Sequence, residues 1–211
     1  MAKKKKFYVV WIGSKPGIYK TWAECQVQTK GYPKAKYKGF PTYQIAEKAF
    51  LDGPLEHWGK DKFYSTLSEE QLKLIGKPIQ DSMTVDAGCQ GVPGPMDYQG
   101  VDYFTGQVVF RKGPFPNSTN NVGEYLALVH ALALMKKKND KRPIYSDSKI
   151  AISWVKNKQH RTNLKRSKLN KESFELLERA DRWLEQNTYV NKILKWETKA
   201  WGEIPADFGR K

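Results

Sequence analysis

A chain of 211 residues with 39% hydrophobic side chains is long enough for two modest domains with cores of their own. Its formal net charge of +15 exceeds what solubility demands and points to an anionic partner, nucleic acid first among them. No apolar run approaches the roughly 20 residues that span a bilayer, and the two cysteines, Cys25 and Cys89, form neither a disulfide framework nor a CxxC metal site, so a cytoplasmic protein with no membrane partner is expected.

In chain order, the first quarter carries a disproportionate charge: residues 1–50 hold eleven lysines against Glu24 and Glu47. The start MAKKKKF is basic, but no apolar stretch of signal-peptide length follows it. FYVVW reads as a strand, Lys15-Pro16-Gly17 as a turn and Ile18-Tyr19 as a short second strand. Thr21 with Glu24 three residues later has the spacing of a capping box that starts a helix, and TYQIAEKAF is a second, amphipathic helix. These elements make a small three-stranded sheet with two helices over residues 1–51. Residues 52–80, from Asp52-Gly53-Pro54 to Gly76-Lys77-Pro78, read as a linker with one short helix at SEEQLKLI capped by Ser68.

From residue 81 the pattern changes. SMTVDAG, YQGVDYFT and QVVFRKG read as three strands, the last two joined by a hairpin turn at Thr105-Gly106. PFPNSTNN reads as a long loop leading into a helix from about Gly123 to Lys137, apolar nearly all round as a buried helix is. RPIYSD is a fourth strand and SKIAISWVKNK the helix after it. Phe174, Leu177, Ala180 and Leu184 mark the inner face of a further helix before a fifth strand at NKILKW. Three antiparallel strands followed by helix, strand, helix and strand predict an α/β domain over 81–211, a mixed five-stranded sheet flanked by helices.

Four acidic residues stand out in this second part: Asp86 in TVDAG, Glu124 in STNNVGEYLAL, Asp147 in PIYSDSK and Asp207 in WGEIPADFGRK. Any one alone is ordinary strand-end or helix-cap chemistry. Borne on separate elements, beside small or hydrogen-bonding residues rather than cationic partners, the four together are what a divalent-cation site for phosphoryl chemistry requires. Such carboxylates raise one another's pKa values and destabilise the metal-free fold, and bound Mg²⁺ relieves both effects. Glu203, four residues before Asp207, reaches the same site if its segment is helical, or else pairs with Arg210 or Lys211. His57, His130 and His160 read as an interdomain, a core-helix and a surface residue, none of them a ligand or base.

At these residues the chain resembles ribonuclease H of type 1, in the subgroup whose C-terminal motif reads WGE-x-x-AD-x-GRK. The match covers about residues 82–211 with all four acidic motifs in order. Roughly residues 5–51, including FYVVWIGSKPGIYKTWAECQVQTKGYPKAKYKGF, are similar to the small hybrid-binding domain also found in viroplasmin proteins of plant viruses. The resemblance implies a ribonuclease H-like fold and an endonuclease that hydrolyses the RNA strand of RNA:DNA hybrids. It implies two Mg²⁺ ions per site, with Mn²⁺ as a substitute, and products bearing 3'-hydroxyl and 5'-phosphate ends. Asp86 would bridge the ions, Asp207 would help hold the one that activates water, and Glu124 and Asp147 would complete the one on the leaving-group side. Many relatives carry a mobile histidine in the last loop. None lies between Trp196 and Asp207 here, and the WGE motif implies that Glu203 takes its auxiliary role.

Substrate contacts follow the same resemblance. Cys89-Gln90-Gly91 and Thr119-Asn120-Asn121 supply backbone N–H groups, a hydroxyl and carboxamides for minor-groove 2'-hydroxyls and phosphate, although Asn and Gly also serve ordinary turns. Matched positions imply that Cys89, Gly91, Asn120 and Lys149 touch the hybrid, while Thr119, Asn121, Thr162 and Asn163 grip a DNA-strand phosphate. Cys89 and Lys149 stand where relatives often carry Ser and Gln. Trp154 has core spacing with Ala151 and Val155, yet the family uses an aromatic nearby under the DNA strand. In the first domain Tyr8, Trp22 and Tyr37, with Lys36 and Lys38 beside them, match the aromatics and lysines that contact the DNA strand. A domain of this size also needs aromatics for its core. Double-stranded RNA is a second expected ligand of this domain, and a monomer is expected. Two other classes compete: a non-catalytic hybrid-binding protein, which would not need the four acids, and a DNA-cutting recombinase or integrase of the same broad fold, which would not need the hybrid-binding domain.

Overall fold

The computed structural model describes residues 6–59 and 63–208. The chain divides into two compact units, Met1–Ile75 and Gly76–Lys211.

In the first unit, β1 (Phe7–Ile12) pairs antiparallel with β2 (Gly17–Tyr19) on one edge and β3 (Lys36–Phe40) on the other. Helix α1 (Trp22–Thr29) begins at the expected capping box: Thr21 Oγ1 accepts from the Glu24 N–H, and the Glu24 carboxylate accepts from the Thr21 N–H. Strand alternation divides β1 between two helices. Val9 and Trp11, with Phe40, pack on Ala46 and Ala49 of α2 (Tyr43–Asp52), while Tyr8 and Val10 face the side that carries Trp22 of α1. His57 lies within this unit rather than between domains. It ends the short α3 (Pro54–His57), stacks on Trp11, and bonds Tyr64 Oη at 2.6 Å and Asp52 at 3.0 Å. The stretch expected as linker therefore begins as part of this core. It also contains α4 (Glu69–Ile75), where Ser68 Oγ accepts from the Gln71 N–H as its spacing predicts.

The second unit is the expected mixed five-stranded sheet flanked by helices, in the order β6-β5-β4-β7-β8. Strands β4 (Met83–Cys89), β5 (Gly94–Asp102) and β6 (Val108–Ser118) run antiparallel; β7 (Ile144–Ser146) and β8 (Ile193–Lys195) join in parallel. Residues 114–118, expected as loop, continue β6. This is an edge strand, where Pro114 and Pro116 cost no ladder bond, and register shifts in the β5–β6 pairing absorb the irregularity. Helix α5 (Asn120–Lys137), capped by Thr119, is buried nearly all round. Its Gly123 permits a close approach to β4, because a Cβ there would lie 2.6 Å from the Ala87 Cβ and 2.6 Å from the Met96 sulfur. Helices α6 (Lys149–Lys156) and α7 (Lys171–Gln186) add Ala151, Val155, Leu177 and Leu184 to the same core. On the opposite face Tyr145, Trp196 and Ile204 form a smaller cluster beside α8 (Thr198–Trp201). Among the described residues, no helix is long and apolar enough to cross a membrane.

Candidate metal centre and nucleic-acid surfaces

The fold brings three of the four acids together. Asp86 lies within β4, Glu124 in the first turns of α5 and Asp147 directly after β7, and each offers a carboxylate oxygen within 4.8 Å of the other two. Ser146 Oγ donates to Glu124 at 3.4 Å. Burial and mutual repulsion act in one direction here. Burial, then the charge of Asp147, pushes the Asp86 carboxyl up from 3.8 to about 7. Burial and the charges of Asp86 and Asp147 push Glu124 well above its ordinary range, and the two side chains share a hydrogen bond. Asp147 is raised by burial as well, with the Lys195 ammonium opposing the rise. Hard carboxylate oxygens that are costly to ionise without a counter-charge fit a divalent cation such as Mg²⁺ or Mn²⁺.

Asp207 arrives differently. It is exposed in the irregular segment after α8, yet close enough that its charge raises both Asp86 and Asp147. Glu203 is four residues before it, but the segment is not helical: residues 203–207 form a bend and a turn, in which the Asp207 N–H donates to the Ile204 carbonyl at 2.8 Å. The helical spacing that would aim Glu203 at the site is therefore absent, and Glu203 lies exposed outside the cluster of three. Its alternative partners, Arg210 and Lys211, lie outside the described residues.

A pocket of about 320 Å³ is lined by Thr119, Asn121, Thr162 and Asn163, the four residues expected around a phosphate. Trp154 and Arg161 also line it. Trp154 packs as its core spacing predicts, 7% exposed and edge-on against Tyr125. Arg161 belongs to the basic stretch of residues 159–171 and has no motif of its own. The loop that carries it is anchored by Asp181, whose carboxylate accepts from the His160 N–H at 3.1 Å and from Tyr125 Oη at 2.6 Å and meets His160 Nδ1 at 2.8 Å. His160 is thus bound into the fold rather than loose on the surface. Cys89 ends β4 with its thiol toward the Gly91 carbonyl at 3.1 Å, Gly91 adopts φ +100°, and Asn120 and Lys149 are exposed at the first positions of α5 and α6.

In the first unit the aromatics converge. Trp22 lies 5.6 Å from Tyr8 and 5.5 Å from Tyr37 between ring centroids, and Trp22 and Tyr37 are exposed. Lys36 and Lys38 do not join them. Alternation along β3 turns both to the other face, where Lys36 lies over Trp58 and Lys38 over Tyr64.

A family model described as the ribonuclease H1 N-terminal domain matches residues 6–50. The chain is 48% identical over 101 residues to a ribonuclease H of Saccharomyces cerevisiae, covering 44% of this chain and 29% of that protein. It is 39% identical over 79 residues to a ribonuclease H of Crithidia fasciculata, covering 34% and 16%. The chain thus spans less than a third of the length of these curated relatives. Among solved structures, ribonuclease H1 of Halobacterium salinarum matches at 21% identity with a TM-score of 0.36, over 55% of this chain and 83% of that one. A ribonuclease H1 named LC11, solved in complex with an RNA/DNA hybrid, matches at 23% identity with a TM-score of 0.32, over 55% and 82%.

Proposed function

We propose that this chain is a ribonuclease H of type 1 with an N-terminal hybrid-binding domain, as its likeness to these relatives supports, and that it is an endonuclease hydrolysing the RNA strand of RNA:DNA hybrids. The observation that carries the proposal is the meeting of Asp86, Glu124 and Asp147 from three separate elements within 4.8 Å. With Asp207 they would hold two divalent ions, Mg²⁺ by preference. Such ions supply an activated water and charge neutralisation at both the entering and departing oxygens of an in-line displacement at phosphorus, which leaves 5'-phosphate and 3'-hydroxyl ends.

The chain's own residues bind and orient the substrate. The Cys89 to Gly91 loop, Asn120 and Lys149 lie within five residues of an acid along the chain and would read ribose 2'-hydroxyls and phosphate from the minor groove. The pocket of Thr119, Asn121, Thr162, Asn163 and Arg161 suits a phosphate of the DNA strand. In the first unit, the exposed rings of Trp22 and Tyr37 with Tyr8 suit stacking on that strand, and the lysines of the unit supply neutralising charge. Double-stranded RNA would bind this unit but lacks the DNA strand that the phosphate pocket grips.

The test is cleavage of labelled RNA:DNA hybrid, double-stranded RNA and double-stranded DNA, with Mg²⁺ and with EDTA. Hybrid alone should be cut efficiently, and only with the metal. A hybrid with a single ribonucleotide should be a poor substrate and one with about four a good one, because each 2'-hydroxyl contributes only a modest hydrogen-bond increment. Asp147→Asn should lose at least ~100-fold in rate while still binding hybrid, since even residues behind metal ligands are worth ~10–100-fold. Cleavage that persists in EDTA, or equal cleavage of double-stranded DNA, would reject the proposal.

A further inference from the structure

We infer that Gln99 and Arg111 are positioning residues that hold Asp207 against the acidic cluster. The inference rests on the reading of Asp207 as a metal ligand. Regular structure fixes the other three acids, through the β4 ladder, the first turns of α5 and the end of β7. Asp207 stands outside regular structure, because residues 202–208 follow an irregular path after α8.

A row of side chains across three strands steadies this segment instead. Asp86 stands opposite Gln99 in the β4–β5 register, and Gln99 opposite Arg111 in the β5–β6 register. Directly opposed residues project on one face of a sheet, so the three form a line. Gln99 Nε2 donates to the Ala206 carbonyl at 2.8 Å, with Gln99 8% and Ala206 0% exposed. The Arg111 guanidinium lies over the Phe208 ring, 4.9 Å from its centroid. These contacts grip the residues immediately before and after Asp207, and the first member of the same row is Asp86. Upstream, Trp196 Nε1 donates to the Gly202 carbonyl at 2.8 Å and the Asp207 N–H to the Ile204 carbonyl at 2.8 Å, which closes the turn leading to the acid. Satisfying a buried carbonyl would by itself explain Gln99. It does not explain a second contact, from the next residue of the same row, on the other side of Asp207.

The experiment uses the full chain and compares Gln99→Met, which keeps length and removes the donor, Arg111→Met, the double variant, and Gln99→Lys, which restores a donor. The first measurement is hydrogen exchange of the metal-free protein, which requires no turnover. Exchange over residues 202–208 should quicken by ~5-fold in Gln99→Met, the equivalent of one net hydrogen bond, and further in the double variant. Gln99→Lys should return it toward wild type, and peptides from β4 and α5 should be unchanged. The second measurement is the Mg²⁺ concentration that half-saturates hybrid cleavage. It should rise by about 3–10-fold with the KM for hybrid unchanged. If Gln99→Met loosens β4 and α5 as well, Arg111→Met, altered at an exposed side chain, carries both measurements. Unchanged exchange over 202–208 in the double variant overturns the inference, and so does quickened exchange with an unaltered Mg²⁺ dependence. An Asp207→Asn enzyme with wild-type Mg²⁺ dependence would instead remove the reading of Asp207 on which the inference rests.

Discussion

The carboxyl of Asp86 is the residue on which folding and activity oppose each other most directly. Its folded pKa of about 7 stands above the ordinary 3.8, chiefly because it is buried and secondly because Asp147 is beside it. A carboxyl raised in the folded state favours folding below its unfolded pKa and loses that advantage as pH rises through the folded value. The metal-free protein should therefore become less stable between about pH 4 and pH 7 and reach the full cost above pH 7, on the order of 1–4 kcal/mol. A divalent cation should restore the loss at pH 8, where the acids are ionised, and do little at pH 5. Asp86→Asn should flatten this profile, stabilise the metal-free protein at pH 8 and abolish most of the Mg²⁺ stabilisation. Urea titrations at pH 5, 7 and 8, with EDTA and with Mg²⁺, read all of these effects. A metal-free protein at its most stable above pH 7 would contradict the electrostatic account of the cluster.

Elements carry these residues to one another, and two of them do so at identifiable points. Helix α5 delivers Glu124 to β4 because Gly123 leaves no side chain between them. Gly123→Ala improves helix propensity yet puts a methyl 2.6 Å from the Ala87 Cβ, which is rigidly held by the strand. Overpacking should win, with a loss of about 1–3 kcal/mol in denaturant unfolding and a lower cleavage rate as Glu124 is pushed away. An unchanged or higher stability would show that the helix can move. The loop after α6 depends on Asp181, which accepts bonds from His160 and Tyr125. Asp181→Ala strands these donors at a cost of about 1–3 kcal/mol and frees the loop that bears Arg161, Thr162 and Asn163. The KM for hybrid should rise by about 3–10-fold with kcat little changed, since the acids lie on other elements. Steady-state kinetics that show a fall in kcat alone would argue that this loop serves the chemistry instead.

At the scale of the whole molecule, each unit has its own core, one around Val9, Trp11 and Phe40 and the other around α5. The four acids all lie in Gly76–Lys211. That fragment alone should fold and cut hybrid in the presence of Mg²⁺. Residues 1–75 hold fourteen lysines against seven acids, so removing them takes away much of the attraction to phosphate. The fragment should bind long hybrids about 10-fold or more weakly, and its log K should fall less steeply with log salt, by nearly one unit of slope for each phosphate that the first unit neutralises. Equal salt slopes for fragment and full chain, measured by fluorescence anisotropy, would exclude the first unit as the substrate handle.

Local physics is what the sequence by itself determined. Capping boxes, turn residues and the change from period 2 to period 3.6 act within a few residues, so most strands and helices and the starts at Thr21 and Ser68 could be read directly, whereas the one-turn helices Pro54–His57 and Thr198–Trp201 are too short to show a period. The settings of Asp86, Glu124, Asp147 and Asp207 were equally plain, each with its own local motif. Tertiary structure alone decided what depends on registers and long-range packing. Residues 114–118 became strand because an edge position tolerates their prolines, and Lys36 and Lys38 diverged from Tyr37 because the pleat of β3 sets them on opposite faces. Glu203 lies outside the cluster of three because residues 203–207 bend and turn instead of forming a helix. The line from Asp86 through Gln99 to Arg111 joins residues with no shared motif, and only the pairing of three strands aligns them beneath Asp207.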